Sequence, residues 1–227
     1  DRSNIEKTRS NNSREIALHL LTKKRKVLIL DGRPRWETRY IQNHFDRDDR
    51  WETKVIFDNY AAKPEDGSMR KDFPKSREEL LSYDLIMLGD VAASRFDSLH
   101  LDWLVEFVEK RGGGLVLIDG VCGGLKDWAK GRTAGLIPVN WPANPATAKA
   151  YTWQLTTDGE RQPGLRLSDS PSANMTLWPT LPEMTWAAHV TSLPGSQTLA
   201  ELKSGNATTP AMIFRQVGAG AVLYLAT

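Results

Sequence analysis

The sequence is short of cysteine, of long apolar runs and of net charge, and each shortage excludes a class of protein. Its single cysteine, Cys122, cannot form an internal disulfide. It has no run of about 18 apolar residues, so we expect no direct membrane insertion by this chain. Its 30 Lys and Arg residues against 28 Asp and Glu residues give a formal net charge of +2, which predicts no nucleic-acid partner.

The remaining composition is that of a globular protein, with 40% hydrophobic and 26% charged residues among 227. Residues 1–14 are polar, without an initiator Met or a secretory signal, and the chain ends in what reads as an unfinished strand. We therefore expect a piece of a longer protein. In it, residues 1–24 form a polar segment and a strand (16–21) from a preceding module, and residues 25–227 form one domain.

The spacing of apolar residues predicts an α/β core over residues 25–135. Runs of aliphatic and β-branched residues predict buried parallel strands at 26–31, 53–57, 84–89 and 115–119. Helical spacing predicts helices at 99–110 and at 36–45, the latter with Tyr40 and Ile41 on its apolar side. Ser76 with Glu79 forms the capping box of a short third helix, and residues 58–74, rich in Pro, Gly, Asp and Lys, are predicted to form a loop. Strands and helices that alternate in this way form a parallel sheet with helices on both faces.

Residues 136–227 differ in composition and apolar spacing, and we expect a loop- and strand-rich C-terminal extension there. Pro, Asn, Ser and Thr are frequent at 136–185, where the helical period disappears. Strands are predicted at 211–215 and 221–225, joined as a hairpin by a turn that contains Gly218 and Gly220. Dispersed tryptophans accompany this composition: Trp141, Trp153, Trp178 and Trp186.

Five runs, in the order 27–40, 83–90, 107–120, 177–182 and 218–227, together resemble a known family. They resemble the class I glutamine amidotransferase-like domains of large bacterial membrane-anchored proteins, which often carry von Willebrand A-like modules. The resemblance implies a flavodoxin-like sheet. We expect no cofactor, and partners among other domains of the same protein or in a membrane complex. It also implies an extracytoplasmic position on the periplasmic side, tethered through flanking segments, although a cytoplasmic position stays open.

The strongest catalytic candidate is Cys122, within Gly-Val-Cys-Gly-Gly after a predicted strand and before a predicted helix at 125–130. In working amidotransferases a cysteine lies at such an elbow, where a helix N-terminus lowers its pKa. Such a nucleophile needs a histidine base and a carboxylate, which the family supplies as His-x-Glu late in the chain. The late histidine here, His189, has no carboxylate two residues on, and an alternative alignment places Gly120 at the elbow. The sequence therefore favours a domain without catalysis.

A second candidate site follows the first predicted strand, at the sheet edge where open α/β proteins bind ligands. Its arginines can clamp a small anion. In the structural alternative they pair with carboxylates of the fold, and Trp36 plugs the edge of the core. The candidate ligand-binding residues are Arg33, Arg35, Trp36, Glu37, Arg39, Asp90 and Asp119. Asp31, Asp90 and Asp119 each end a predicted parallel strand, and we expect them to share one edge. Their spacing matches no known metal signature, so no metal site is predicted.

Three hypotheses follow from the sequence. The first is a non-catalytic domain of a larger membrane-associated protein, which acts in protein interaction or binds a small anion at the arginine-rich edge. The second is a cysteine-dependent amidotransferase or hydrolase that uses Cys122. The third is a carbohydrate-binding or carbohydrate-modifying domain, because tryptophan faces also stack on sugars; dispersed tryptophans more often pack the core.

Overall fold

The computed structural model describes residues 23–143 and 150–227. The predicted strand at 16–21, and with it the preceding module, lies outside the described residues. Ten strands are described: β1 (Arg25–Asp31), β2 (Trp51–Phe57), β3 (Leu85–Gly89), β4 (Gly114–Ile118), β5 (Val139–Asn140), β6 (Thr152–Leu155), β7 (Thr191–Ser192), β8 (Gln197–Ser204), β9 (Ala207–Val217) and β10 (Gly220–Leu225). The helices are α1 (Trp36–Asp46), α2 (Ser68–Lys71), α3 (Arg77–Leu81), α4 (Ser98–Glu109), α5 (Thr157–Glu160) and α6 (Pro171–Leu177).

Eight of these strands form one mixed sheet in the order β2-β1-β3-β4-β10-β9-β8-β6. The pairs from β2 to β10 are parallel, whereas β9, β8 and β6 continue the sheet in antiparallel pairs. The two short strands β5 and β7 form a separate antiparallel pair. The predicted class is confirmed: a flavodoxin-like parallel sheet of α/β type with a strand-rich C-terminal part.

Helices cover both faces of the sheet, and alternate residues of β1 are buried against them on opposite sides. Val27 and Ile29 face a small cluster against which α1 packs Ile41 and Phe45. The other face of β1 belongs to the main core, to which α4 contributes three fully buried side chains, Leu104, Phe107 and Val108. This two-sided burial explains the continuous apolar runs of the parallel strands.

The predicted ends of α3 and α4 are close to the observed ones. Ser76 accepts from the backbone N–H of Glu79 at 3.1 Å, as the capping box requires. The carboxylate of Glu79 accepts from the N–H of Lys75 at 2.8 Å rather than from that of Ser76, which corrects the reciprocal half of the motif. Asp97 caps α4 by accepting from the N–H of His100 at 3.0 Å.

Several segments differ from expectation, among them α5 and α6, which lie where the sequence shows no helical period. The predicted helix at 125–130 is a 3₁₀ helix, Gly124–Ala129, and the predicted loop at 58–74 contains the 3₁₀ helix Pro64–Asp66 and α2. Strand β8 was not predicted at all. Further 3₁₀ turns lie at Ala93–Arg95, Gly131–Leu136, Pro163–Leu165 and Trp178–Thr180. Among the described residues, no helix has the length and apolar character needed to cross a bilayer.

Candidate functional site

The three strand-terminal aspartates meet at the carboxyl edge of the sheet. In the parallel register Asp31 lies beside Gly89, and Gly89 lies beside Ile118, so Asp31, Asp90 and Asp119 follow neighbouring strands at the same level. Each is about 1% exposed. The expected shared edge is therefore present, and its carboxylates are buried. Buried charges of this kind require partners.

Arg35 connects two of the strand ends. Its Nε donates to Asp31 Oδ2 at 3.1 Å, and its Nη1 donates to the carbonyl oxygen of Asp119 at 2.9 Å. The Arg35 side chain is only 9% exposed. The hydroxyl of Thr38 also donates to Asp31. Burial raises the pKa of Asp31, against the lowering effect of Arg35 and Thr38. Arg35 could either bind an anion or pair with carboxylates of the fold, and its geometry matches the pairing.

Asp90 organises the loop at residues 120–124, here called the Cys122 loop. Its two carboxylate oxygens accept from the N–H groups of Cys122 and Gly124, each at 2.8 Å. Its carbonyl oxygen accepts from the hydroxyl of Tyr60 at 2.6 Å. Within the described part of the chain, Asp90 is the one residue other than glycine with positive φ, at 46°. The strain is concentrated where β3 ends, not in the Cys122 loop.

The geometry of the Cys122 loop does not resemble a nucleophile elbow. Neither Gly120 nor Cys122 has positive φ. A Cβ atom on Gly120 would lie 2.3 Å from Asp90 Oδ2, so a side chain does not fit there. Cys122 is exposed. Desolvation of its sulfur, and then the negative charge of Asp90, raise the pKa of the thiol. In the described ranges no hydrogen bond joins this thiol to an imidazole.

Asp119 is held by three donors. Its Oδ2 accepts from the hydroxyl of Tyr224 at 2.5 Å and from Trp141 Nε1 at 2.8 Å, and its Oδ1 accepts from the N–H of Gly120 at 2.8 Å. Burial raises the pKa of Asp119, and the nearby charge of Asp90 adds to the increase. Burial and Asp119 likewise raise the pKa of Tyr224. In residues 23–143 and 150–227, no group of His, Cys, Asp and Glu is placed to hold a metal ion.

Of the remaining predicted residues, Trp36, Glu37 and Arg39 lie on the outer side of α1, and Arg33 lies in the loop before it. Trp36 and Tyr40 are each 68% exposed, with ring centroids 6.3 Å apart, and the guanidinium of Arg39 lies 5.7 Å from the Trp36 ring. Arg33 and Glu37 are exposed as well. The expectations that Trp36 plugs the core edge and that Tyr40 shares the buried side of the helix were wrong. Helix α1 is buried through Ile41 and Phe45, and this orientation turns both aromatic side chains outward.

A cleft of about 310 Å³ lies beside the same sheet edge, and the sequence did not predict it. Its walls come from the Cys122 loop, the following 3₁₀ helix, and the segments at 141–143 and 185–189. Polar and aromatic side chains at the cleft include Lys126, Trp141, Tyr151, Trp186 and His189. The hydroxyl of Tyr151 and His189 Nε2 are hydrogen-bonded at 2.9 Å. These residues are far apart in sequence, and the dispersed tryptophans were their only signal.

Comparison with known proteins gives no family assignment. No family model matches the chain. No curated protein matches it either. Among solved structures, it is similar to the exo-β-1,4-mannosidase Op5Man5 from Opitutaceae bacterium strain TAV5, with 14% identity and a TM-score of 0.48 over 90% of this chain. The chain spans 31% of the length of that enzyme.

Two smaller proteins are similar over most of their length. A protein from Bacteroides uniformis described as ThuA-like has 12% identity and a TM-score of 0.47, over 92% of this chain and 84% of that one. A protein from Thermoplasma acidophilum described as a subunit of GMP synthase has 13% identity and a TM-score of 0.45, over 88% and 82%. At such identities, and with TM-scores below 0.5, these similarities define neither a family nor an activity for this chain.

Proposed function

We propose that this chain is a non-catalytic interaction domain of glutamine amidotransferase-like fold, which docks through α1 onto another domain of a longer, membrane-associated protein. The membrane association, and a position outside the cytoplasm on the periplasmic side, rest on the resemblance of its ordered sequence runs to such proteins. The docking surface rests on the side chains of α1. We call this surface the α1 stripe and define it as Trp36, Arg39 and Tyr40.

The observation that carries the proposal is the exposure of two neighbouring aromatic rings, tilted by 31° to each other, on an anchored helix. Trp36 and Tyr40 leave 68% of their surface in solvent. Trp, Tyr and Arg are the residue types most enriched at binding hot spots. Arg35 and Thr38 hold the beginning of α1 to Asp31, so the helix that carries the stripe is anchored to the sheet in the unbound chain. A rigid surface loses less conformational freedom on binding.

The rival hypothesis of a cysteine enzyme is less well supported, because desolvation and the charge of Asp90 outweigh the lowering effect of Arg33 and Arg35 on the pKa of the thiol. The pKa of the Cys122 thiol is raised rather than lowered. At Gly120, the elbow position in the alternative alignment, there is no space for a side chain. The thiolate is the reactive form of cysteine. We therefore expect iodoacetamide to alkylate Cys122 more slowly at pH 7 in the folded chain than in the same chain unfolded in urea. Faster alkylation of the folded chain would restore the enzyme hypothesis.

The docking proposal is tested with the longer gene product divided into this chain and its remaining domains. We expect the two parts to bind each other in isothermal titration calorimetry. Trp36→Ala and Tyr40→Ala should each weaken binding about tenfold or more, because truncation of an aromatic hot spot typically has such an effect. The matched control is Leu99→Ala, on α4, since Leu99 is also an exposed large apolar side chain at 55%. No binding, or equal effects of Trp36→Ala and Leu99→Ala, would refute docking through the α1 stripe.

A further inference from the structure

The cleft beside the Cys122 loop has the size and lining of a site for one small molecule. Its volume of about 310 Å³ is at the lower end of the range for small-molecule sites, roughly 300–1,000 Å³. It lies next to Asp119, at the carboxyl edge of the parallel strands, where open α/β sheets bind ligands. It shares Asp119 with the predicted arginine edge and contains no residue of the α1 stripe.

One aromatic wall of the cleft is held in place from behind. The indole N–H of Trp141 donates to Asp119 Oδ2, which also accepts from the hydroxyl of Tyr224. The rings of Trp141 and Tyr224 meet edge to face at 5.9 Å and 79°. Trp186 contributes a second indole to the lining. Two indoles offer the apolar, polarisable surface onto which the C–H face of a sugar ring packs.

Of the two charged side chains in the described lining, Lys126 is available to a ligand and Asp119 is not. Lys126 is exposed and forms no ion pair within the described ranges, and it is the one cation among the described lining residues. The carboxylate of Asp119 already accepts three hydrogen bonds and is about 1% exposed, so a ligand has little access to it. The cleft therefore offers an unpaired ammonium group to a ligand, and this group favours a molecule that carries a carboxylate.

A second polar region lies on the segment at 185–189. His189 is bonded through Nε2 to the hydroxyl of Tyr151, while its Nδ1 has no partner among the described residues. An imidazole nitrogen exchanges hydrogen bonds with hydroxyl groups in either tautomer. A ligand that covered this nitrogen without offering a hydroxyl group would leave it unpaired, which is costly. The ligand should therefore combine a carboxylate with several hydroxyls.

We propose that the cleft binds a monosaccharide acid of the hexuronate type. Its carboxylate pairs with Lys126, its ring packs between Trp141 and Trp186, and its hydroxyls bond to His189. The ligand source is a free or chain-terminal uronate residue, since the cleft holds about one ring. This binding involves no covalent step and does not depend on the docking of the α1 stripe.

The test is a titration of the 227-residue chain with D-glucuronate and D-galacturonate, followed by NMR of the indole N–H signals. We expect one of them to saturate and to shift the signals of Trp141 and Trp186. The matched neutral sugars, glucose and galactose, and the ring acid benzoate should bind at least about tenfold more weakly. The neutral sugars lack the carboxylate, and benzoate lacks the hydroxyls. The proposal is wrong if neither uronate binds. It is also wrong if glucose, galactose or benzoate binds as tightly as the better of the two uronates.

Variants locate the site. Lys126→Ala should weaken uronate binding about tenfold, through loss of a charge-assisted hydrogen bond, and should leave the weak binding of the neutral sugar unchanged. Trp186→Ala should weaken both. The matched control is Lys130→Ala, because Lys130 is an exposed lysine at the end of the same 3₁₀ helix and outside the cleft lining. Equal losses in Lys126→Ala and Lys130→Ala would show a general effect of charge and overturn the assigned site.

Discussion

At the scale of single residues, the edge of the sheet is stabilised by buried carboxylates with assigned partners. Asp31 is held to the start of α1, Asp90 to the Cys122 loop, and Asp119 to Trp141 and Tyr224. Asp90 joins the end of β3 to the loop after β4, and Asp119 joins the end of β4 to Trp141 and to Tyr224 of β10. A buried carboxylate without such donors is strongly destabilising, so the loops and the aspartates fix each other.

Arg35→Ala should cost roughly 3–5 kcal/mol of unfolding free energy, the range for breaking a buried ion pair by removing one partner. The reason is that Asp31 would keep its burial and lose its cation. Arg33→Ala is the matched control and should change stability by no more than about 0.5 kcal/mol, because Arg33 is exposed. Urea unfolding of both variants measures the difference. Similar values for the two would contradict the structural role of Arg35.

The sequence predicted the position of the acidic residues better than their partners. Aspartate after each of three buried strands was enough to place Asp31, Asp90 and Asp119 at one edge. The orientation of α1 was not predictable, because Tyr40 and Ile41 are adjacent and only about 100° apart around a helix with 3.6 residues per turn. Packing of Ile41 against the sheet turned Tyr40 outward, and that choice depends on tertiary contacts.

At the scale of elements, the turn of the β9–β10 hairpin is fitted against the end of α4. The N–H of Ala219 donates to the carbonyl oxygen of Glu109 at 2.8 Å. Gly218 has φ of 58°, and a Cβ atom there would lie 2.3 Å from that same carbonyl oxygen. Close approach and left-handed backbone therefore both require glycine at position 218.

Gly218→Ala should be more destabilising than Gly205→Ala. Gly205 has nearly the same φ, 59°, but a Cβ atom there meets nothing within 4 Å. The second variant thus carries the cost of left-handed backbone alone, about 1 kcal/mol. The first adds a clash with backbone that neither side can relieve without moving the hairpin from α4. Thermal unfolding of both variants measures the difference, and equal melting temperatures would show that the contact with Glu109 is unimportant.

Strand β8 shows why some elements were not predictable. Its residues do not alternate strictly between buried and exposed, since Leu199 and Ala200 are both buried in succession. The pairing with β9 changes register between Thr198 and Ala200, which is where the alternation fails. A bulge of this kind removes the period of two that identifies a strand. The hairpin β9–β10, whose β10 residues alternate regularly, was correctly predicted.

At the scale of the whole molecule, the C-terminal extension completes the core of the first half. Strand β10 pairs with β4 on one side and β9 on the other, so the last strand of the chain is central in the sheet. Val222 and Tyr224 are fully buried in the same cluster as Leu28 of β1. The change of composition near residue 135 marks a change from alternating strands and helices to strands and loops. The packed core continues across this point.

A fragment of residues 25–135 should therefore not fold by itself. It would expose the edge of β4 and the surfaces that now cover Val222 and Tyr224, both 0% exposed. Each such side chain contributes about 1.5–3 kcal/mol on burial, and a domain is stable by only about 5–15 kcal/mol in total. Near-UV circular dichroism and urea unfolding should show loss of fixed packing in the fragment, and a single cooperative transition in the full chain. A fragment that unfolds cooperatively would mean that β1 to β4 form an independent core, to which the strands after residue 135 are only attached.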